Sequence, residues 1–579
     1  MKAFFGALAF CFILFLPFYI SSSPTGGSVS FLRLKVEDFS PAEGKEGSQL
    51  RFVLNSDPKT LNPALAQETS STAVISDLFS GLTKMDLKTM KVVPDLAESW
   101  EEREEGKVYV FYLKKDVRWS DGKPLSADDV VFTYRDVYLN PNIPNSTGDM
   151  FRGLLRTQEE ISNFVKKIDA YTVEFRLPRP FAPFLNALSA SVLPKHKLEK
   201  HVKEGTFMTA WNVNTDPREI VGAGPYVLKR YIKGVMVEYV ANPYYYEHDQ
   251  EGRKLPYIKS RVGYILQDPD TALLKYSLDE IDYMSVRPQD VLFMSKMKET
   301  TLFDLGSTPS TTFLVFNMNP KAEIPKHKLA WFQNKEFRRA ISHAIDREGI
   351  CYLVYNGLAE PLYSPITPAN RPYYEEGLFK VYQYDLKKAK GILESLGFKD
   401  RNGDGWLEDS RGNTLEIVLL TNSGNKEREA MGNIIKEDLE RIGVKVIFRP
   451  IDFNTLVSKL TSPPYSWEAV IIGLTGSMDP HFGRNVWHSS GTLHVWNPRQ
   501  EKPQTHWEKR IDELFDKGAS ETNPERRISL YREAYKIIGD EQPMIFLVTP
   551  KSMLAAKNKL GNLFPTVWGW YKEEALFLK

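Results

Sequence analysis

The sequence of 579 residues predicts an α/β fold of several domains, and three observations carry that reading. Between Leu415 and Leu474, strand-like apolar runs alternate with helical periodicity in the order β-α-β-α-β, the pattern that right-handed crossovers build into a parallel sheet. Residues 50 to 132 mix short strands with short helices. At roughly 100–200 residues per domain the length implies about two to four domains, and an apolar content of 42% supplies their cores.

The elements follow in chain order. Lys2, an apolar run from Phe4 to Ile20 and the small-residue stretch Ser21 to Gly27 have the layout of an export signal. That run falls short of the about 20 residues needed to span a bilayer, so residues 1–27 are expected to be cleaved rather than kept as an N-terminal anchor. The mature chain is therefore expected outside the cytoplasm, in the periplasm, or at the outer face of the inner membrane if the segment is retained. Bulky Phe10 before Cys11 argues against a lipid attachment site there. Leu50 to Leu54 reads as a first strand ended by Asn55-Ser56-Asp57-Pro58, and Thr69 to Phe79 as a helix stopped by Gly81. Val108 to Leu113 is strand-like, Asp121-Gly122 is a turn, and Ser126 with Asp129 forms a capping box ahead of Val130. Farther on, Leu415–Leu420, Val444–Ile451 and Ala469–Leu474 are the three strands of the β-α-β-α-β run. Helices over Lys426–Ile442 and Phe453–Leu460 separate them. Ligands bind such sheets beyond the carboxyl ends of the strands, which singles out the loops Thr421–Asn425 and Thr475–Pro480.

Composition removes several functions. With 75 Lys+Arg against 74 Asp+Glu, the net charge of +1 argues against a nucleic-acid partner. Two cysteines, Cys11 and Cys351, exclude a disulfide framework and a structural zinc site. Phosphate-loop, nucleophile-elbow, HExxH and GxGxxG motifs are absent from the sequence. His481, His488 and His494 cluster without an acidic or Cys partner pattern, so packing or ligand contact is their expected role rather than metal binding. Asp400, Asn402 and Asp404 place oxygen donors at alternate positions beside glycines, as at the opening of a calcium loop. Arg411 stands where the bidentate Glu belongs, leaving Glu408 or Asp409 to substitute. An acidic turn without metal explains the same residues. No cofactor is expected beyond that candidate structural calcium.

Six stretches, in order, carry a family resemblance: Asp57–Pro63, Pro94–Trp100, Val117–Phe132, Gly222–Tyr226, Arg338–Arg347 and Asp400–Asp409. Together they resemble the extracytoplasmic solute-binding proteins of the peptide/nickel ABC transporter family, the oligopeptide- and dipeptide-binding proteins among them, over about residues 50 to 550. The residues themselves are scaffold, with Ser126 capping a helix and Gly222 and Gly224 permitting a tight turn before a strand. The resemblance implies a two-lobed periplasmic-binding-protein fold with an extra inserted domain and a hinge between the lobes. On that mapping lobe I comprises 48–93, 217–303 and 541–579, domain II 94–216, and lobe III 304–540.

By the same resemblance, the protein captures a peptide or peptide-like solute in the cleft and hands it to an ABC transporter permease, as a monomer and without catalysis. Candidate ligand contacts are Gln67, Glu68 and Thr69 in lobe I, with Thr475, Gly476, Ser477, Asp479, Asn485, Trp487, Trp496 and Asn497 opposite. Trp offers a rigid apolar wall and Asn both donors and acceptors, as a small-solute pocket needs; buried structural Trp is the competing reading. The family's peptide binders pair an Asp with the peptide ammonium, and Gly476 aligns at that place, leaving Asp479 as the nearby carboxylate. A longer, modified or non-peptide solute is then expected. A secreted hydrolase acting on peptides or sugars, and a sensor or chaperone module on the same fold, are the alternative functions.

Overall fold

The computed structural model describes residues 31–34, 42, 44, 47–66, 68–152, 154–155 and 157–579. The signal read over 1–27, Cys11 and Gln67 lie outside them. The molecule is built on one large mixed sheet. Its continuous path uses β1 (Gly47–Leu54), β2 (Tyr226–Ile232), β3 (Met236–Ala241), β4 (Ile258–Ile265), β5 (Tyr283–Ser285), β6 (Ser310–Phe316), β7 (Glu416–Asn422), β8 (Lys445–Ile451), β9 (Ala469–Thr475) and β10 (Met544–Lys557). The spatial order is β8-β7-β9-β6-β10-β5-β1-β4-β3-β2.

One half holds the β-α-β-α-β run. β7 pairs in parallel with β8 (Leu419 opposite Phe448) and with β9 (Leu419 opposite Ala469). The crossovers are helices α1 (Lys426–Glu440) and α2 (Phe453–Thr461). α1 forms where the apolar spacing is helical, and Met431, Ile435 and Leu439 are its buried face. Asn425 caps it, its Oδ1 accepting from Arg428 N at 2.9 Å. Helices α3 (His506–Ser520) and α4 (Pro524–Glu541) cover the same half, and a single apolar core runs from Phe313 to Val548. Cys351 lies in that core as a free thiol, and burial pushes it up to about 12, the environment of an inert packing residue.

In the other half β1 is parallel to β4 (Leu50 opposite Arg261), while β4, β3 and β2 form an antiparallel meander. Packed beside it, residues 97–176 form a separate antiparallel sheet of four strands. Its core is a nest of rings in which Phe175 meets Phe111, Tyr134, Phe164 and Phe184 at centroid distances of 5.2–5.7 Å. The capping box at Ser126 forms, with Ser126 N donating to Asp129 Oδ2 at 3.0 Å.

Two expectations change. The helix read over Thr69–Phe79 ends at Ile75, because the carbonyls of Asp77 and Leu78 accept from Tyr226 N and Gly224 N, each at 3.0 Å, and are lost to helix continuation. Gly222 and Gly224 serve this approach rather than a turn. A Cβ on Gly222 would lie 1.8 Å from the Leu78 carbonyl oxygen.

The halves share β10. Its first part pairs with β6, from Val315 opposite Met544 to Thr312 opposite Val548; its last part pairs with β5 and with the strand Thr300–Ser307. The chain crosses between halves at 307–310 and again at 548–551, side by side, with Thr308 N donating to Pro550 O at 2.9 Å. A border drawn at 540/541 assigns to one lobe a strand that serves both.

Candidate functional site

The crossing points open onto a cavity of about 310 Å³, within the usual size of small-ligand sites. Its walls come from the ends of adjacent elements: Ser310, Thr311 and Thr312 of β6, Gly473, Leu474 and Thr475 of β9, Asn425, Glu427 and Arg428 at the start of α1, with Tyr355 and Pro550. Both loops expected from the strand order therefore contribute, through Asn425 and Thr475. The hydroxyls of Ser310 and Thr475 lie 3.4 Å apart across the mouth.

Arg428 is the cation of this cavity, and the exposed carboxylate of Glu427 stands beside it on the same wall. Arg428 projects from the first turn of α1, and its Nη1 donates to Asn422 Oδ1 at 2.8 Å. Burial pulls its pKa below the usual guanidinium value, and among the described residues no carboxylate lies within ion-pair distance of it. Gly473 leaves the room it occupies, since a Cβ there would stand 2.8 Å from Arg428 Nη2. An α-helix N-terminus and an unpaired guanidinium both favour an anion, so the cavity is chemically suited to a carboxylate or similar group.

The other expected residues fall into three places. On the far half, Glu68 caps the helix Thr69–Ile75 and accepts a hydrogen bond from Ser71 Oγ, whose oxygen in turn accepts from Lys59 N and Thr60 N; Thr69 is exposed. Gly476 and Ser477 continue from Thr475 beyond the C-terminal end of β9. Gly476 N donates to Pro309 O at 2.8 Å, and Ser477 O accepts from Asn370 Nδ2 at 2.9 Å. Asp479 caps the short helix Pro480–Gly483 and takes both N–H arms of Arg527 on α4, at 2.7 and 2.9 Å. Arg527 also donates to Tyr373 Oη and to Gly518 O.

Asn485, Trp487, Trp496 and Asn497 form a layer against α3 and do not line the cavity. Asn485 is exposed and holds its own loop, accepting from Thr492 N at 2.7 Å. Trp487 is buried edge-on to Tyr535. Trp496 is 1% exposed and spends its indole N–H on Glu508 Oε1 at 3.1 Å, so its place is core rather than solute wall. Asn497 N donates to His494 O in the same buried turn. His494 and His488 face carboxylates of α3, Glu508 and Asp512.

His481 sits where the two halves touch. Its ring meets the edge of Phe181 at 5.2 Å, beside the hydrogen bond from Ala182 N to Ala519 O at 2.8 Å. Burial pulls its pKa down to about 4, Asp479 opposing that shift and the Arg527 and Arg484 cations adding to it. A second contact between halves runs from Trp568 Nε1 to Ala369 O at 3.1 Å.

Residues missed at the sequence level are Arg428, Tyr355, Ser310 to Thr312 and Arg527. Arg428 had a local signal, standing three residues after a helix cap at the end of a parallel strand; Arg527 had none. The acidic loop holds together: Asp400, Asp404 and Glu408 bring carboxylate oxygens within 4.8 Å of one another, and Asn402 Nδ2 donates to Asp404 Oδ2 at 3.1 Å. Among the described residues no helix is long and apolar enough to cross a membrane.

Comparison with known proteins places these features. The family model of bacterial extracellular solute-binding proteins, family 5 (middle), matches residues 91–492. A probable ABC transporter-binding protein of Deinococcus radiodurans is 28% identical over 537 residues, 88% of either chain. The oligopeptide-binding protein AppA of Bacillus subtilis is 29% identical over 90% of either chain. Its solved structure in complex with a nonapeptide matches with a TM-score of 0.73, covering 93% of this chain and all of that one. NikZ of Campylobacter jejuni, solved with Ni(L-His), matches with a TM-score of 0.69 at 25% identity, covering 88% of this chain and 94% of that one.

Proposed function

Because this chain belongs to the bacterial extracellular solute-binding proteins, family 5, we propose that it captures a peptide or peptide-like solute between its halves, with a carboxylate of that solute on Arg428. It then presents the closed complex to an ABC transporter permease. Members of this family are transporter components rather than enzymes. Action as a monomer, with residues 1–27 as the export segment, belongs to the same reading. The observation that carries the ligand reading is the partly buried Arg428 guanidinium, which lines the cavity with hydroxyl and amide groups and feels the charge of neighbouring Glu427 without forming an ion pair among the described residues. Asp479, the carboxylate of the loop that carries the aligned ammonium position, is engaged by Arg527, which supports a solute whose amine end is blocked or read elsewhere.

Native mass spectrometry of the purified protein identifies a co-purifying solute. Calorimetric titration with peptides carrying free or amidated carboxyl ends then tests Arg428. A charge-assisted hydrogen bond is worth about 1.5–3 kcal/mol, so Arg428→Gln weakens free-carboxylate ligands about ten- to a hundredfold and leaves amidated ones unchanged. Equal binding of both by the unaltered protein overturns the assignment.

A further inference from the structure

The loop between the helix Leu386–Ser395 and β7 lies outside the cleft and plays no part in the solute reading. Its side chains converge all the same. Asp400 accepts from Gly403 N and Gly405 N, Asp404 from Trp406 N, and Asn402 Oδ1 from Asp404 N, so the donors at alternate positions turn inward around one centre. Gly403 and Gly405, at φ +80° and +91°, give the backbone the left-handed steps that this winding needs. Three carboxylates so close repel one another, and no Lys, Arg or His forms an ion pair with any of them among the described residues. Arg401 spends its guanidinium on the carbonyls of Gly397 and Asp409, and Lys445 pairs with Glu416.

The independent observation is Glu408. It is 3% exposed; its Oε2 accepts from Arg401 N at 2.7 Å, and its Oε1 is sealed from solvent with no hydrogen-bond partner. A buried carboxylate oxygen without a partner is costly, and a cation at the focus of Asp400, Asp404 and Glu408 removes that cost. Asp409 is not part of the centre, since it accepts from Arg411 N, Asn413 N and Asn413 Nδ2.

We propose that Asp400, Asn402, Asp404 and Glu408 hold one calcium ion. The donors are all oxygen, which selects a hard divalent cation over zinc, copper or nickel. They sit on a winding loop with three exposed members, Asp400, Asn402 and Asp404, open to water, a geometry that suits calcium's loose shell better than magnesium's strict octahedron. Glu408 stands at the ninth position and Arg411 at the twelfth, so the site lacks a bidentate ligand and binds weakly, with a Kd of about 0.1–1 mM, as extracellular calcium modules do. The ion pins the turn in which Glu408 bridges Lys399 and Thr414, at the end of β7 remote from the cavity. It therefore stabilises the half without entering solute recognition.

The test uses the full mature chain and needs no solute. Calorimetric titration with calcium chloride gives one ion per chain in the stated range, and the melting temperature rises with calcium and falls back with EDTA. Trp406 sensitises terbium emission from the loop, and calcium quenches it by displacement. Glu408→Gln keeps the bond from Arg401 N yet weakens calcium at least about tenfold, an expected loss of one charged ligand; Asp404→Asn, at an exposed position, does the same if the first variant folds poorly. No heat and no melting shift at about 10 mM calcium overturns the proposal, since a site of this class is then filled. Undiminished binding in either folded variant, or magnesium binding as tightly as calcium, overturns it too.

Discussion

Replacing Asp479 by Asn separates two roles that one carboxylate can play. In the structure it meets Arg527 through two bonds at 2.7 and 2.9 Å, with the two side chains only 11% and 10% exposed. Asp479 holds the Arg527 guanidinium charged despite its burial. Removing one member of a buried pair costs about 3–5 kcal/mol because the other charge is stranded. Asn keeps one acceptor for Arg527 and for the His481 N–H, while Tyr373 and Gly518 continue to accept, so the expected loss is near the low end, about 3 kcal/mol. Urea unfolding followed by tryptophan fluorescence measures it, in a cycle with Arg527→Met and the double variant. The pair predicts a double variant more stable than the sum of the single losses by at least about 2 kcal/mol, since no charge is then left unpaired. Calorimetry on the same proteins supplies the refuting result. If Asp479→Asn costs under about 1 kcal/mol and selectively abolishes binding of free-amine peptides, the carboxylate belongs to the solute and the structural pairing is wrong.

Other expectations concern the contact between halves and the approach of two backbones. His481 is neutral at its contact with Phe181, with a pKa near 4 against 6.5 when released. A depressed folded value means that its contribution is fully present above about pH 6.5 and is lost as pH falls toward 4, by up to about 3 kcal/mol. His481→Gln flattens the stability profile across that window, and an unchanged slope counts against the buried neutral ring. Gly222→Ala forces a methyl onto the Leu78 carbonyl and destabilises by about 3 kcal/mol, while Gly391→Ala, in an exposed helix interior with nothing nearby, stabilises by about 0.5–1 kcal/mol. Thermal melts of the two variants should move in opposite directions.

What was legible in the sequence had a local cause. Met431, Ile435 and Leu439 repeat at helical spacing because one face of α1 is buried, and the strands around it are apolar because both of their faces are covered. Ser126 and Asp129 announce a helix start through their own bonds. The antiparallel neighbours of β6 could not be read this way, since partners more than a hundred residues apart leave no mark on either segment. The bond between Asp479 and Arg527 spans 48 residues and two elements, and neither residue looks unusual alone. Trp487 and Trp496 show a different limit: an indole that lines a solute pocket and one that fills a core carry the same letter, and only the position of Glu508 decides for Trp496. The early end of the helix at Ile75 likewise depends on Gly224 and Tyr226 arriving from far along the chain.

The strand Met544–Lys557 has a meaning for the order in which the chain is made. It is the last of the ten strands to leave the ribosome, yet it is the neighbour of both β5 and β6, near the middle of the finished sheet. Until residue 557 has been added, each half waits with an open edge, and open edges are templates for wrong pairing. Local units such as the four-stranded sheet of residues 97–176 have all their strands early, whereas the two halves of the large sheet are completed together and late. A chain cut before Met544 forfeits both at once, and one that reaches Lys557 gains both from a single segment.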